Sequence, residues 1–168
     1  VHVDAIAAIP PIYFHLPPYA IADYWNDISA AAPNTDFIIY NIPQLAGVAL
    51  TMPLLKEMRK NPRVIGVKNS SAATQDIQMW KDEGGADFVV MNGPDEQFVS
   101  GLAMGATGGI GGTYAVMPEL FIKARKLMFL KLSTSLDGIL SSTALSIASR
   151  IARAGRVDCC QRVKSEVG

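Results

Sequence analysis

Short apolar runs recur along the chain at a regular interval, and this spacing limits its possible folds more than any other feature. The runs end near residues 9, 40, 68, 92 and 112. One of them, Val64-Ile65-Gly66-Val67, is apolar on both faces, as the buried strands of parallel sheets are. An interval of roughly 20 to 30 residues matches one right-handed strand–helix unit. The spacing therefore predicts an α/β fold of consecutive parallel strands joined by helices.

The segments between these runs carry helix signals. Apolar side chains recur at helical spacing over residues 19–31, and Thr51 is a suitable N-cap for a helix over residues 52–60. Further helices are expected over residues 76–82, around Phe98 and Leu102, and over residues 117–128. The helical segments differ too much from one another for a solenoid of repeats.

Five parallel strands are compatible with an open doubly wound sheet or with part of a (β/α)8 TIM barrel. The dinucleotide-binding fingerprint of the doubly wound fold is missing, because the glycine-rich residues 108–112 form the last strand and not the first. In a barrel, functional residues lie at the carboxyl ends of the strands. Polar side chains gather there or just beyond, which favours the barrel: Tyr13, Tyr40, Lys68, Asp95, Glu96 and Thr113.

A complete barrel needs about 250 residues, whereas this chain has 168. We therefore expect residues 1–128 to form the second half of a barrel, of about five strand–helix units. Residues 129–168 are expected to be a divergent helical tail. The chain opens with Val1, so we also expect that it begins partway through a longer sequence.

Composition narrows the class of function. With 49% apolar and 18% charged residues, the chain is expected to be globular. Formal net charge is zero and basic residues form no stripe, which disfavours nucleic acid as a partner. No apolar run approaches a membrane span, and no signal pattern opens the chain. The adjacent Cys159 and Cys160 suit neither a disulfide framework nor a zinc site, so we expect a cytoplasmic protein without a bound metal.

Lys68 is the residue in these strands that most needs an explanation. A lysine at the end of a buried strand is costly unless it reaches water or has a chemical task. An ammonium in apolar surroundings has a lowered pKa, which supplies the neutral amine that attacks carbonyl groups. The alternative is a lysine whose stem packs on apolar surface while its charge reaches solvent. A second strand of the same kind, ending on Tyr40, favours the catalytic interpretation.

Four motifs together resemble the N-acetylneuraminate lyase / dihydrodipicolinate synthase family of class I Schiff-base aldolases. Each motif is weak alone, but all four in family order and spacing are specific. The similarity runs from about residue 3 to residue 128. The motifs are Tyr40-Asn41-Ile42-Pro43, Ile65-Gly66-Val67-Lys68, Asn92-Gly93-Pro94-Asp95-Glu96 and Gly109-Ile110-Gly111-Gly112-Thr113-Tyr114.

The resemblance implies a role for each matching residue. Lys68 is implied as the Schiff-base lysine and Tyr40 as the tyrosine that relays protons. Tyr13 matches a tyrosine that assists the relay, in some relatives at a neighbouring subunit's site. The remaining matches are substrate-binding positions, with Ser70 where the family often has threonine: Ser70, Gly93, Asp95, Glu96 and Gly112. A small-molecule substrate, a homo-oligomer (a tetramer in the family) and no cofactor are implied as well.

The chain departs from the family pattern in three places. Gly112 stands where the lyase branch often has a serine that contacts the substrate. The loop that holds the α-keto acid carboxylate belongs to an earlier strand and is absent here. Beyond about residue 129 no similarity is found.

Several of these residues also have a purely structural interpretation. Tyr40 suits packing at a strand end, and Ser70 suits a turn. Asp95 and Glu96 suit the first turn of a helix, where their charge complements the helix dipole. Gly112 suits close packing within a crowded strand.

Three functions remain open at this point. The Gly-x-Asp-Glu motif looks like the sialic-acid branch, which implies reversible cleavage of N-acetylneuraminate to N-acetylmannosamine and pyruvate. Dihydrodipicolinate synthase, or another 2-keto-acid aldolase of the family, is the alternative among enzymes. The third possibility is an inactive fragment that acts only through assembly with full-length subunits, because a half barrel leaves open sheet edges.

Overall fold

The computed structural model describes residues 3–137, and its centre is a single sheet of five parallel strands. Strand order in the sheet follows the chain, and each strand pairs in parallel with the next. A doubly wound sheet would reverse its order at a switch point, and the described strands show no reversal. The order is that of a barrel segment. The strands are β1 (Ala5–Ala8), β2 (Asp36–Asn41), β3 (Val64–Asn69), β4 (Val89–Asn92) and β5 (Gly108–Gly109).

Helices connect these strands, as the spacing predicted. Thr51 caps its helix as expected, since its side-chain oxygen accepts the N–H of Leu54 at 3.5 Å. Gly85, with φ of 84°, ends the helix that follows β3. The helices are α1 (Pro18–Ala31), α2 (Pro43–Ala46), α3 (Met52–Met58), α4 (Gln75–Gly84), a 3-10 turn (Asp95–Gln97), α5 (Phe98–Ala103) and α6 (Pro118–Asp137).

Several elements differ from the sequence prediction, including α3, which ends at Met58, and α4, which spans Gln75–Gly84. The short helix α2 was not predicted, and β1 has four residues where a strand over residues 2–9 was expected. β5 has two residues where a strand over residues 108–112 was expected, because consecutive glycines offer no side chains to pack on a sheet. α6 continues to Asp137, so residue 128 falls inside a helix. The helical tail was predicted over residues 129–168; residues 129–137 belong to α6, and residues 138–168 lie outside the described residues.

The helices cover one face of the sheet and form the core there. Side chains in β2 alternate accordingly: Phe37, Ile39 and Asn41 are buried, whereas Ile38 and Tyr40 are half-buried on the opposite face. That opposite face is the one that lines the interior of a barrel. Within the described residues, no helix is long and apolar enough to cross a membrane. The largest fully buried core side chains include Trp25, Phe37, Ile39, Leu55 and Trp80.

Candidate active site

A cavity of about 390 Å³ opens at the carboxyl ends of β2 to β5. Parallel strands bring their carboxyl ends to one edge of the sheet, so residues far apart in sequence meet there. Five of the eight residues predicted for the site line the cavity. The lining residues are Tyr40, Lys68, Ser70, Gly93, Pro94, Ile110, Gly111 and Gly112.

Lys68 and Tyr40 form the centre of this cavity. They are direct register partners on β3 and β2. The Lys68 Nζ lies 3.8 Å from the centroid of the Tyr40 ring, within the range of a cation–π contact. The Ser70 hydroxyl donates to the Tyr40 hydroxyl at 3.5 Å. An amine and a phenol thus face the same cavity, and a hydroxyl orients the phenol.

The electrostatics of this group favour the ionised form of Tyr40. Partial burial alone raises the pKa of the phenol. Hydrogen bonds from Lys68 and Ser70, together with the positive charge of Lys68, outweigh burial and hold the pKa of Tyr40 below its ordinary value. A phenol with a lowered pKa accepts a proton from a substrate hydroxyl and returns it within one catalytic cycle.

Gly93 and Gly112 occupy very different surroundings. A Cβ at Gly93 would collide with the Ser70 side chain and lie 2.5 Å from the Asn69 carbonyl oxygen, so a side chain does not fit. At Gly112 the nearest atom to an added Cβ would be Asp95 Oδ2, at an ordinary contact distance of 3.7 Å. A serine would fit at Gly112, and glycine there leaves the cavity wider than the lyase pattern does.

Asp95 joins the loop after β4 to the loop after β5. Its Oδ2 accepts the backbone N–H of Thr113 at 2.8 Å and the Thr113 hydroxyl at 2.7 Å. Its Oδ1 is buried and has no hydrogen-bond partner among the described residues. A buried carboxylate oxygen without a donor is costly, and it suits a ligand that brings a hydroxyl group.

Three predicted site residues do not line the cavity: Tyr13, Glu96 and Asp95, the last of which is held by Thr113. Tyr13 lies in the loop between β1 and α1 and is 86% exposed. Glu96 lies in the 3-10 turn after β4, one residue from Asp95, and its side chain is exposed. Both residues are at the same end of the sheet as the cavity but outside its wall.

The cavity also contains residues to which the sequence assigned no role. Pro94, Ile110 and Gly111 line it, and Thr113 supports it through Asp95. The glycine-rich run at residues 108–112 was the available signal, since glycines after a strand let the backbone approach a ligand closely. No cluster of three or more His, Cys, Asp or Glu side chains suited to a metal ion occurs between residues 3 and 137.

Comparison with known proteins connects this geometry to a family. Residues 1–136 match the model of the dihydrodipicolinate synthetase family. An N-acetylneuraminate lyase of Mediterraneibacter gnavus is 74% identical over 121 residues, covering 72% of this chain and 38% of that protein. An N-acetylneuraminate lyase of Escherichia coli is 36% identical over 114 residues, covering 68% and 38%.

Solved structures agree with the sequence matches. The wild-type Ruminococcus gnavus sialic acid aldolase superposes with a TM-score of 0.69 at 62% identity, covering 91% of this chain and 47% of that chain. A dihydrodipicolinate synthase of Cyanidioschyzon merolae, at 19% identity and a TM-score of 0.63, shares the fold. The chain spans 38% of the length of these curated relatives and under half of that aldolase structure.

Proposed function

The chain belongs to the dihydrodipicolinate synthetase family, and from that premise we propose that it carries the Schiff-base half of an N-acetylneuraminate lyase. The observation that supports this most is the contact between Lys68 and Tyr40 at the cavity. An amine nucleophile and a proton-relaying phenol are the two groups that a class I aldolase needs.

The proposed reaction begins at Lys68. Its neutral amine adds to the keto carbon of open-chain N-acetylneuraminate, and loss of water gives an iminium. The iminium accepts the electron pair of the carbon–carbon bond that breaks, while Tyr40 takes the proton of the adjacent substrate hydroxyl. N-acetylmannosamine leaves. Tyr40 returns its proton to the carbon end of the remaining enamine, which becomes the pyruvate iminium. Water then adds to this iminium and releases pyruvate and the Lys68 amine.

Specificity for a polyol substrate is assigned to the loop after β4. Asp95 is proposed to accept a sugar hydroxyl at Oδ1, which has no partner among the described residues, since Thr113 already occupies the other oxygen. Because Oδ1 is buried beside Gly111, the loop after β5 must shift for a substrate to reach it. Glu96, Ser70, Gly93 and Gly112 are proposed as further substrate-binding positions. Tyr13 is proposed to assist the proton relay from a neighbouring subunit, because its ring is too exposed to act within this cavity.

Two alternative functions remain. The first keeps the lysine chemistry, and the second does without it. Another 2-keto-acid aldolase of the family, including dihydrodipicolinate synthase, would use Lys68 and Tyr40 but would not need Asp95 and Glu96. An inactive fragment that acts through assembly would not need the chemistry of Lys68, and the unpaired edges of β1 and β5 among the described strands are the observation that favours it. We further propose a cytoplasmic homo-oligomer. The domain boundary predicted at residue 128 stays a prediction, since α6 (Pro118–Asp137) continues across that residue.

Borohydride trapping tests the proposal. The chain is incubated with pyruvate or N-acetylneuraminate, reduced, digested and mapped by mass spectrometry. We expect a stable adduct on Lys68 and none on Lys56, Lys60 or Lys81, which lie away from the cavity. Lys60→Arg is the matched control for Lys68→Arg, since Lys60 is exposed. Label on another lysine, with Lys68 unmodified, would overturn the assignment.

A further inference from the structure

Three asparagines stand side by side directly behind the cavity. Asn41, Asn69 and Asn92 are register partners on β2, β3 and β4. None is more than 3% exposed. Asn41 follows Tyr40 and Asn69 follows Lys68, and consecutive strand residues point to opposite faces. The three amides therefore lie on the helix-covered face, where burial of a polar group is costly unless hydrogen bonds offset it.

The side chains of this set, which we name the asparagine ladder, hold the loops that surround the cavity. Asn41 Nδ2 donates to Asn69 Oδ1 at 2.9 Å, and Asn41 Oδ1 accepts the N–H of Leu50 at 2.9 Å. Asn69 Oδ1 also accepts the N–H of Ser71 at 3.1 Å. The first two side chains thus fasten the loops that follow β2 and β3.

Asn92 likewise holds the loops that follow β4 and β5. Its Nδ2 donates to the Pro94 carbonyl at 2.6 Å and to the Tyr114 hydroxyl at 3.0 Å. Helix α5 closes against it at Gly101, where an added Cβ would lie 2.5 Å from Asn92 Oδ1. Asn92 consequently has little freedom to move away from the two loops.

The backbone of the ladder follows a repeating pattern. The carbonyl of Asn41 accepts the N–H of Ser70 at 2.8 Å, that of Asn69 accepts Gly93 at 2.6 Å, and that of Asn92 accepts Ile110 at 2.9 Å. All three donors line the cavity. These bonds come from main-chain carbonyls, which any residue would supply, so they place the ladder directly beside the cavity wall, and the side-chain bonds are what asparagine adds.

We infer that Asn41, Asn69 and Asn92 are positioning residues that act as one unit to set the spacing of the cavity edge, including Tyr40 and Lys68. This inference rests on the proposed function for its catalytic consequence. The side chains of Asn69 and Asn92 are not hydrogen-bonded to each other, since Asn69 Nδ2 and Asn92 Oδ1 are a buried donor and a buried acceptor without partners among the described residues. Asn92 is tied to the other two through the register of the strands.

A purely structural role would give a different result from a positioning role. If the amides only stabilise the sheet, their loss lowers protection from hydrogen exchange everywhere. If they position the cavity edge, their loss frees Ser70, Gly93 and Ile110 selectively, while central strand amides such as Ile39 and Val67 stay protected. Hydrogen exchange measured amide by amide separates the two, and it needs no substrate.

The experiment compares the full chain with its Asn69→Ala and Asn34→Ala variants. Asn34 lies exposed in the turn before β2, so its variant is the matched control. In Asn69→Ala the main-chain carbonyls remain, and the N–H of Ser71 directly loses its acceptor. We expect protection of Ser71, and with it of the neighbouring Ser70 and Gly93, to fall at least about tenfold relative to Ile39 and Val67. A uniform fall across the sheet, or no fall, would overturn the inference. Should Asn69→Ala not fold, Tyr114→Phe removes only a hydroxyl, and we expect a selective loss at Ile110.

Pyruvate trapping at Lys68 supplies the chemical readout. At equal folded fraction, Asn69→Ala is expected to trap about tenfold more slowly than the unmodified chain, while Asn34→Ala is unchanged. If the unmodified chain traps nothing at Lys68, the proposed function fails, and exchange still decides whether the ladder positions the edge. If the unmodified chain traps and Asn69→Ala matches its rate and pH profile, the positioning role fails alone.

Discussion

Lys68 and Tyr40 are register partners on neighbouring parallel strands, and the Lys68 Nζ lies over the Tyr40 ring at 3.8 Å from its centroid. The ring face attracts the ammonium form of Lys68, while the hydroxyl at the ring's edge is held by Ser70. One tyrosine therefore has two separable contributions, one from its ring and one from its hydroxyl. Substitution by phenylalanine removes the contribution of the hydroxyl and keeps that of the ring.

Tyr40→Phe is expected to reduce pyruvate release from N-acetylneuraminate by roughly 10²–10⁴-fold while imine trapping at Lys68 falls far less. Phenylalanine keeps the ring beneath Lys68 but loses the proton relay. Tyr19→Phe, at an exposed position on α1, is the control and should change neither quantity. If the chain alone releases no pyruvate, Tyr40→Phe and Tyr19→Phe are compared in a chimera. In this chimera residues 1–137 replace the matching segment of the Mediterraneibacter gnavus lyase. Equal loss of trapping and turnover would mean that Tyr40 mainly positions Lys68.

Tyr40, which lines the cavity, and Tyr114, which is bonded to Asn92, are expected to titrate in a definite order. The contacts with Lys68 and Ser70 lower the pKa of Tyr40, whereas burial, aided by Asp95 and Glu96, raises the pKa of Tyr114. In an alkaline titration followed at 295 nm, Tyr40→Phe should remove an early-ionising phenol and Tyr114→Phe a late one. The reverse order would contradict the arrangement around Lys68.

Stability should depend on pH in opposite directions for these two residues. The lowered pKa of Tyr40 in the folded state means that its contribution is present above about pH 10 and is lost as the pH falls through the folded value. The raised pKa of Tyr114 means that its contribution is present below about pH 10 and is lost as the pH rises. Thermal unfolding of Tyr40→Phe and Tyr114→Phe across this range measures both.

Asp95→Ala is expected to weaken binding of N-acetylneuraminate by about 10- to 100-fold while pyruvate trapping at Lys68 persists. The substitution removes the carboxylate proposed for the sugar hydroxyls but leaves the amine and the phenol in place. Asp27→Ala, at an exposed position on α1, is the matched control. Thr113→Val keeps the carboxylate and should give a smaller effect. An unchanged KM in Asp95→Ala would favour a simpler 2-keto acid as the substrate.

The chain by itself is expected to associate and to be a poor catalyst. β1 and β5 each have one unpaired edge among the described strands, and the face carrying Tyr40 and Lys68 is half exposed. A single preorganised donor is worth on the order of 10²–10³ in rate, and the described residues line the cavity from the ends of β2 to β5. Light scattering should therefore give a mass above 18.0 kDa. A stable monomer that releases pyruvate at an ordinary enzyme rate would contradict this expectation.

Much of the fold follows from local patterns in the sequence. Apolar runs ending near residues 9, 40, 68, 92 and 112 located all five strands. Their order in the sheet agrees with the barrel interpretation because parallel strands of this kind connect through short right-handed units. The polar strand ends identified Tyr40 and Lys68 as neighbours at one edge. Hydrophobic periodicity and family motifs are both local patterns in the sequence. The positions of the strands, and of Tyr40 and Lys68 at their ends, depend on local patterns alone.

Tertiary structure decided which residues meet. The pairing of Asn41 with Asn69, and of Asp95 with Thr113, depends on the register between strands and on the paths of loops. No spacing in the sequence encodes either contact, since each partner satisfies a buried polar group that another residue could have satisfied as well. The same holds for Tyr13, which the sequence placed near the strand ends and the folded chain leaves outside the cavity wall. Strand positions follow from hydrophobic burial along the chain, whereas partners follow from the three-dimensional need to satisfy each buried donor and acceptor.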